Sequence, residues 1–264
     1  MPSIHLVTRA DDIGSFHSAN KAAMECWKHG ILRNISLLAA APCVEEAATM
    51  FARGKGLCAG VHLTVNGEWA TARWRPVLPA REVPCLVDDD GYLLRNPGLN
   101  HKKGVVFSQV MAELQAQLDK LRRLGFDVAY CDTHMMFGWL FEGTDDSRRL
   151  EQVMEQWAGT QGLIYTNSLK SVSWVKQPEG KDLDPVARLI AGLDTADSGT
   201  YVVVGHTAYN DPEMQALSLG DGHSVASERD WERRLFCDPR IVEYCRKRGI
   251  EAVTYRDAVV TAMK

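Results

Sequence analysis

The chain of 264 residues has no apolar run that approaches the roughly 20 residues of a membrane-spanning helix. Its first residues, Met1-Pro2-Ser3-Ile4-His5, contain neither a basic segment nor a long apolar core, so no secretory signal peptide is predicted. The sequence therefore predicts no membrane partner, and it favours the cytoplasm as the location.

An excess of positive charge and a pattern of paired cysteines are also missing. The 30 basic and 34 acidic residues leave a net charge of −4, which argues against a surface that binds nucleic acid. The seven cysteines are an odd number with no Cys-x-x-Cys pair. This usage predicts free thiols in a reducing compartment, with neither a zinc knuckle nor a disulfide framework.

Apolar runs alternate with segments of helical periodicity along the whole chain. The apolar runs lie at 4–10, 31–41, 56–63, 126–132, 162–165, 201–205 and 251–255. Helical spacing is found at 15–27, 44–53, 109–124, 148–158, 185–193 and 239–247, and a short helix is predicted to follow the last run. This alternation predicts parallel βαβ units, hence an α/β sheet or barrel, and the lack of a linker predicts a single domain over residues 1–264.

The segment 64–106 differs from the rest because it is long, rich in Pro and Gly, and without clear periodicity. Loops of this length in a compact domain are usually functional or carry small irregular elements. We interpret this segment as a flap over a site, and a contact between subunits is the alternative.

Polar side chains that can bind a metal follow several of the apolar runs. Asp11 and Asp12 come directly after the first run, and His62 ends the run at 56–63. Asp132 and His134 end or follow the run at 126–132, and His206 follows 201–205. The carboxyl ends of the strands in a parallel barrel converge on one face, so these residues are predicted to form one site.

Two imidazoles and one carboxylate form a set of ligands that leaves coordination positions open for water and substrate. A metal ion held in this way acidifies bound water and polarises a carbonyl oxygen. A second carboxylate then accepts the proton of the water, and another histidine protonates the leaving group. The residues therefore suit metal-assisted hydrolysis of an acyl or a phosphoryl bond, and they do not choose between the two.

Five short motifs together resemble the YdjC-like carbohydrate deacetylases. They are Ala10-Asp11-Asp12-Ile13-Gly14, Gly60-Val61-His62-Leu63, Asp132-Thr133-His134, a late strand that ends on His206, and Arg229-Asp230-Trp231-Glu232. The motifs span nearly the whole chain.

The resemblance implies a distorted (β/α) barrel of the deacetylase type that hydrolyses an N-acetyl group on a small sugar or chitooligosaccharide. It also implies one divalent metal ion, Mg²⁺ or Zn²⁺, bound by Asp12, His62 and His134. Asp11 is then the general base and His206 the general acid, although the roles of Asp11 and Asp12 can be exchanged. We further expect a homodimer.

The chain departs from the family pattern around the predicted pocket. Met136 stands where many members have a second histidine, and His206-Thr207-Ala208 replaces a His-Pro-Gly sequence. We assign substrate binding to five residues, which are Trp69, Arg73, Asp132, Met136 and Arg229. Trp69 and Trp74 suit stacking on a sugar, and exposed anchors of a subunit interface are the equal alternative.

Two other functions stay open at this point. One is metal-dependent hydrolysis of another bond, such as a phosphoester or a cyclic amide, for which Arg9, Arg73 and Arg75 offer a cationic clamp. The other is a barrel that binds a metal without catalysis. The second aspartate of the adjacent pair argues against this last function, because a metal site alone needs only one.

Overall fold

The computed structural model of the protein describes residues 2–135, 137–141, 145–176, 184–219 and 225–262. These residues form eight strands and ten α-helices. The strands are β1 (Ile4–Ile13), β2 (Asn34–Leu37), β3 (Cys58–Leu63), β4 (Val128–Thr133), β5 (Ile164–Tyr165), β6 (Val172–Trp174), β7 (Gly199–Gly205) and β8 (Glu251–Val253). The helices are α1 (His17–His29), α2 (Val44–Phe51), α3 (Pro97–Lys103), α4 (Phe107–Arg123), α5 (Asp145–Thr160), α6 (Pro185–Asp194), α7 (Pro212–Gln215), α8 (Ala226–Cys237), α9 (Pro239–Arg248) and α10 (Tyr255–Ala262).

The strands form one curled parallel sheet with β1 in its interior. The order is β5-β4-β3-β2-β1-β7-β6, and β8 pairs with the first half of β1. Because β1 has neighbours along both sides and layers on both faces, its residues are almost all buried. The predicted α/β class and the distorted (β/α) barrel are confirmed, and β5 and β6 are the two outer strands of the sheet order.

The two faces of the sheet pack into different clusters because successive side chains of a strand point in opposite directions. Leu6 joins the large cluster that includes the helices, whereas Val7 joins a smaller cluster on the inner face. Tyr130 fills part of that inner face, where it lies against Gly60. A Cβ atom at Gly60 would lie 2.2 Å from the ring of Tyr130, so only glycine leaves this space.

Two differences from the sequence predictions bear on the site. Strand β1 continues three residues further than predicted, to Ile13, and therefore includes both Asp11 and Asp12. Helix α8 is absent from the predictions because it buries few apolar side chains, namely Ala226, Leu235 and Phe236. It has too little apolar periodicity to be recognised.

The segment 64–106 packs onto the domain and contains α3, a short 3₁₀ helix and isolated bridges. Trp69 and Trp74 are 1% and 2% exposed, and both pack in a cluster with Phe16. The alternative that these tryptophans are exposed anchors of a subunit interface is therefore wrong.

Within the described ranges, no helix is both long and apolar enough to cross a membrane.

Candidate active site

Three strands bring a carboxylate and two imidazoles together at the carboxyl edge of the sheet. Asp12 lies near the end of β1, His62 lies in β3, and His134 follows β4. All three side chains are buried, with exposures of 2%, 2% and 5% respectively. Asp12 has a left-handed backbone with φ of 59°, and its carbonyl accepts hydrogen bonds from the amide and the hydroxyl of Ser15.

One oxygen of Asp12 faces both imidazoles. Its Oδ1 lies 3.4 Å from His62 Nε2 and 3.2 Å from His134 Nδ1. It makes no hydrogen bond, although it is buried. One ligand atom from each of the three residues lies within 4.8 Å of the others, so the three atoms are close enough to bind the same metal ion.

Both imidazoles are oriented by a carboxylate on their far side. His62 Nδ1 lies 3.2 Å from Asp132 Oδ1, and His134 Nε2 lies 2.9 Å from Glu68 Oε2. Such partners fix the ring orientation of a histidine that binds a metal and raise the basicity of its free nitrogen. The other oxygen of Asp132 lies 3.0 Å from Arg9 Nη1 and accepts a hydrogen bond from Ser36.

The Asp11 carboxylate is fixed by Arg9. Arg9 Nε donates to Asp11 Oδ1 at 2.7 Å, and Arg9 Nη2 donates to Asp11 Oδ2 at 2.9 Å. Asp11, His62 and Asp132 form a second group whose ligand atoms lie within 4.8 Å of one another. The two adjacent aspartates therefore approach His62 together, and only Asp12 also contacts His134.

Helix α8 connects the candidate metal-binding group, Asp12, His62 and His134, to His206. Arg229 Nη1 donates to Asp12 Oδ2 at 2.9 Å, and His206 Nδ1 lies 3.0 Å from Glu232 Oε2. The backbone amide of His206 also donates to Glu232. Because Arg229 and Glu232 are three residues apart on a helix, they face the same side.

The charges of the site favour the ionised form of each partner. Burial by itself raises the pKa of Asp12, but His134 and Arg229 hold that pKa well below its usual range. Burial lowers the pKa of His134, yet Glu68 and Asp12 raise it to about 9. For His62, Asp132 and Asp11 outweigh burial and raise the pKa well above its usual value.

The residues present fit a divalent metal ion. The buried Asp12 Oδ1 has no hydrogen-bond partner, and the two atoms that it faces are imidazole nitrogens. Two nitrogen donors and one oxygen donor suit Zn²⁺ better than Mg²⁺, which prefers oxygen ligands. The nearby carboxylates of Asp11, Asp132 and Glu68 supply compensating negative charge.

The structure brings together Asp11, Asp12, His62, His134, Asp132 and Arg229, and it places His206 against the same helix as Arg229. Three of the residues assigned to substrate binding have other surroundings. Trp69 is buried beneath Arg229, whose guanidinium lies 5.4 Å from the ring. Arg73 pairs with Asp88 and stacks on Tyr92.

Asp132 Oδ2 accepts a hydrogen bond from Ser36 and lies 3.0 Å from Arg9 Nη1, whereas Oδ1 lies 3.2 Å from His62 Nδ1 without a hydrogen bond. Asp132 is buried between these groups, and its predicted role in substrate binding stays a prediction. Met136 lies outside the described residues. Its predicted role, like that of Arg229 in substrate binding, stays a prediction.

The sequence predictions do not include Glu68 or the pairing of Arg9 with Asp11, and they name Glu232 only as part of a motif, without a role. For Glu232, the three-residue spacing from Arg229 is a usable signal once a helix is recognised there. Glu68 has no such signal, since it lies in an irregular segment whose path the sequence does not specify.

Comparison with known proteins identifies the family. The family model of YdjC-like proteins matches residues 5–145, which is more than half of the chain. The chain belongs to the YdjC-like family. The YdjC-like match includes Asp11, Asp12, His62 and His134, and it ends before His206 and α8.

YdjC-like relatives of similar length extend the comparison over nearly the whole chain. A protein named carbohydrate deacetylase from Listeria monocytogenes serotype 4b is 32% identical, over 96% of this chain and 99% of that protein. One of the same name from Thermoanaerobacter pseudethanolicus is 26% identical, over 95% and 98%. A crystal structure from Enterococcus faecalis V583, named for cellobiose-phosphate cleavage, has a TM-score of 0.76 and 22% identity, and covers 97% of this chain and 99% of its own. This last likeness shows the shared fold.

Proposed function

We propose that this YdjC-like protein is a metal-dependent deacetylase that hydrolyses the N-acetyl group of a sugar or a small chitooligosaccharide. The observation that carries the proposal is the buried Asp12 Oδ1, which faces His62 Nε2 and His134 Nδ1 without a hydrogen bond. The relatives named carbohydrate deacetylase support the choice of an acetylated sugar as the substrate.

Asp12, His62 and His134 would hold the metal ion. When bound, a divalent ion polarises the acetyl carbonyl and lowers the pKa of water. Asp132 and Glu68 hold the two rings, and Arg229 occupies the second oxygen of Asp12. With these contacts, Oδ1 is the oxygen of Asp12 that is directed to the ligand position.

Asp11 is the proposed general base, which accepts the proton of the attacking water. Both of its oxygens accept a hydrogen bond from Arg9, and each retains a free lone pair for that proton. The two hydrogen bonds also prevent rotation of the carboxylate. Proton transfer by a positioned group contributes about 10²–10⁴-fold to a rate.

His206 is the proposed general acid, which donates a proton to the departing amine nitrogen. Burial favours the neutral ring, but the hydrogen bond with Glu232 outweighs it and raises the pKa of His206. The imidazolium that must donate the proton is thus stabilised before substrate binds. With Nδ1 directed at Glu232, Nε2 is the nitrogen left to face the substrate.

Hydrolysis of a phosphoester has less support because the candidate cations are already paired. Arg9 is neutralised by Asp11 and Asp132, and Arg73 pairs with Asp88. Arg75 stacks on Tyr92 and donates to the carbonyl of Gly91 within the same segment. A phosphate clamp therefore lacks unpaired guanidinium groups among these three residues.

The test is acetate release from a panel of N-acetylated mono- and disaccharides. Chelator-treated protein is assayed alone and after addition of Zn²⁺, Mg²⁺ or Co²⁺, with phosphate release from matched sugar phosphates measured in parallel. We expect acetate release only after metal addition, and no release by Asp12→Asn. Asp11→Asn should keep its metal and lose at least about 10²-fold in kcat.

Phosphate release without acetate release would contradict the proposal and favour the phosphoester alternative. Tight binding of the sugars without turnover, unchanged in Asp11→Asn, would instead favour a non-catalytic metal-binding barrel. Acetate release that does not depend on added metal would contradict the metal requirement.

A further inference from the structure

Two cysteines meet where α1 contacts α8, away from the candidate active site. The sulfur atoms of Cys26 and Cys237 lie 3.5 Å and 3.6 Å from the same carbonyl oxygen, that of Arg233. Both thiols are free. Because both sulfur atoms lie against one oxygen atom, Cys26 and Cys237 are neighbours in space although their positions in the sequence differ by 211.

The surroundings of the two sulfurs differ, and they make Cys237 the more reactive of the two. Arg233 Nη1 donates to Cys237 Sγ at 3.3 Å, and Cys237 is partly exposed. The neighbouring Cys26 thiol and the charge of Arg233 lower the pKa of Cys237 against the effect of burial. Cys26 is fully buried, and burial raises its pKa well above the usual value. A cysteine next to a guanidinium and open to solvent is the type that reacts as a thiolate.

We propose that Cys26 and Cys237 are a reversible redox site, which a peroxide oxidises to a disulfide between α1 and α8. Cys237 is the attacking residue, since it contacts Arg233 and solvent, and Cys26 is the resolving residue behind it. This site is independent of the proposed deacetylase function. Disulfides that form in a reducing compartment are usually of this transient kind.

The chemistry balances in two steps. The Cys237 thiolate attacks one oxygen of the peroxide, an S–O bond forms and the O–O bond breaks. The hydroxide that leaves takes up the proton that Cys237 released on ionisation and becomes water. The Cys26 sulfur then attacks the sulfur of the resulting sulfenic acid, so that an S–S bond forms and the S–O bond breaks. The released hydroxide takes the Cys26 proton as a second water. The two thiols lose two electrons, and a dithiol reductant reverses the change by thiol–disulfide exchange.

The remaining cysteines provide internal controls. Cys43 is also partly exposed, but burial and the nearby Glu213 raise its pKa to about 11. Burial likewise raises the pKa of Cys58 to about 11. Oxidation is therefore expected to be selective for the pair at the α1–α8 contact.

The test is oxidation of the full chain with hydrogen peroxide, followed by digestion with trypsin under non-reducing conditions. Cleavage after lysine and arginine gives peptides 22–28 and 235–240, each with one cysteine of the pair and no other. We expect these two peptides joined by a disulfide that a dithiol reductant cleaves. In Cys26→Ser the reaction should stop at the sulfenic acid of Cys237, which a cyclic 1,3-diketone labels.

Cys237→Ser should leave Cys26 reduced, and Cys43→Ser should form the disulfide as the wild type does. We also expect iodoacetamide to alkylate Cys237 at least about tenfold faster than Cys43 at neutral pH. If Cys26→Ser does not fold, Cys26→Ala serves in its place. The proposal is overturned if peptides 22–28 and 235–240 are not joined, or if Cys237 and Cys43 are alkylated at the same rate.

Discussion

Asp11 and Asp12 are neighbours in the chain, yet both carboxylates reach the same site. Successive residues of a regular strand point to opposite faces, so one of the two would normally be directed into the layer of helices. The left-handed backbone of Asp12 interrupts this alternation. A non-glycine residue in that conformation carries strain, which is typical of functional sites. The conformation allows Asp11 to bind Arg9 while Asp12 faces His62 and His134.

His62 provides the sharpest test of the metal-binding group. We expect His62→Ala to lose most of the bound metal and to keep its fold, because the side chain lies at the end of the strand and outside the apolar clusters. Metal content after reconstitution with Zn²⁺ is measured by elemental analysis, and the fold by circular dichroism. His101→Ala, an exposed residue of α3, is the control. If the variant binds as much metal as the wild type does, His62 is not a ligand of the metal.

Glu232 is predicted to set the pH range of activity through His206. Its hydrogen bond opposes burial and raises the pKa of His206, so the imidazolium persists to higher pH. In Glu232→Gln that pKa falls, and the alkaline limb of the kcat profile should move to lower pH. We also expect about a tenfold lower kcat near neutral pH, within the range for general acid catalysis.

The measurement is the pH profile of acetate release for Glu232→Gln, for wild type and for Glu155→Gln, an exposed residue of α5. A uniform drop in kcat with no movement of the alkaline limb would show that Glu232 does not act through the ionisation of His206.

The contact between β3 and β4 depends on a residue without a side chain. A methyl group at Gly60 would lie 2.2 Å from the ring of Tyr130, whose hydroxyl is held by Ser36. We therefore expect Gly60→Ala to lower the free energy of unfolding by at least about 2 kcal/mol, as overpacking does. Urea denaturation measures this change.

Gly159→Ala is the matched control, since nothing lies within 4 Å of a methyl group there. In the last turn of α5, alanine should raise the free energy of unfolding by about 0.5–1 kcal/mol. Equal effects of the two substitutions would contradict the packing argument at Gly60.

Asp238 is predicted to stabilise the start of α9 in a manner that depends on pH. The hydrogen bond from Arg240 lowers its pKa to about 2, so the stabilisation is present above the ordinary pKa and is lost as the pH falls towards 2. Asp238→Asn keeps the N-cap and removes the charge. We expect it to cost roughly 0.5–1 kcal/mol at pH 7, and the difference from wild type to shrink below about pH 4.

Urea midpoints for wild type and Asp238→Asn between pH 7 and pH 3 test this prediction. Asp197→Ala is the control, because its backbone carbonyl, which accepts from Tyr201, is retained. A difference that grows as the pH falls would have the wrong sign for a lowered pKa.

The elements that could be predicted from the sequence are those with strong apolar patterning. Strand β1 and helix α4 are recognisable in this way, and His62 and His134, predicted from strand ends, both lie beside Asp12. Helix α8 is not, since it buries only three apolar residues and also turns Arg229 and Glu232 towards Asp12 and His206. Polar complementarity of this kind leaves no periodic signal in one sequence.

At the scale of the whole molecule, metal binding should raise the free energy of unfolding. A ligand that binds only the folded state at 100 times its Kd adds about 2.7 kcal/mol to the free energy of unfolding. For a chain of this size that corresponds to a rise in Tm of roughly 5–10 °C. We expect this rise when the preferred metal is added to chelator-treated protein, and none in Asp12→Asn.

Thermal unfolding monitored by intrinsic fluorescence provides the measurement, with Asp197→Ala as a control that should respond like the wild type. An equal rise in Asp12→Asn would mean that the stabilising metal binds elsewhere. The homodimer and the cytoplasmic location stay predictions from the sequence.

Because β1 lies inside the sheet and pairs with β2, β7 and β8, all of its pairings can form only after the last of these strands has been synthesised. Early in translation, β2 covers only the second half of one side of β1. The other side of β1 stays unpaired until β7 has been synthesised. The first half of the β2 side stays unpaired until β8 has been synthesised. At roughly 5–20 residues per second, this delay is on the order of ten seconds. Throughout that interval the nascent chain presents an unpaired strand edge to other chains, so its yield on expression depends on how well that edge is shielded until translation ends.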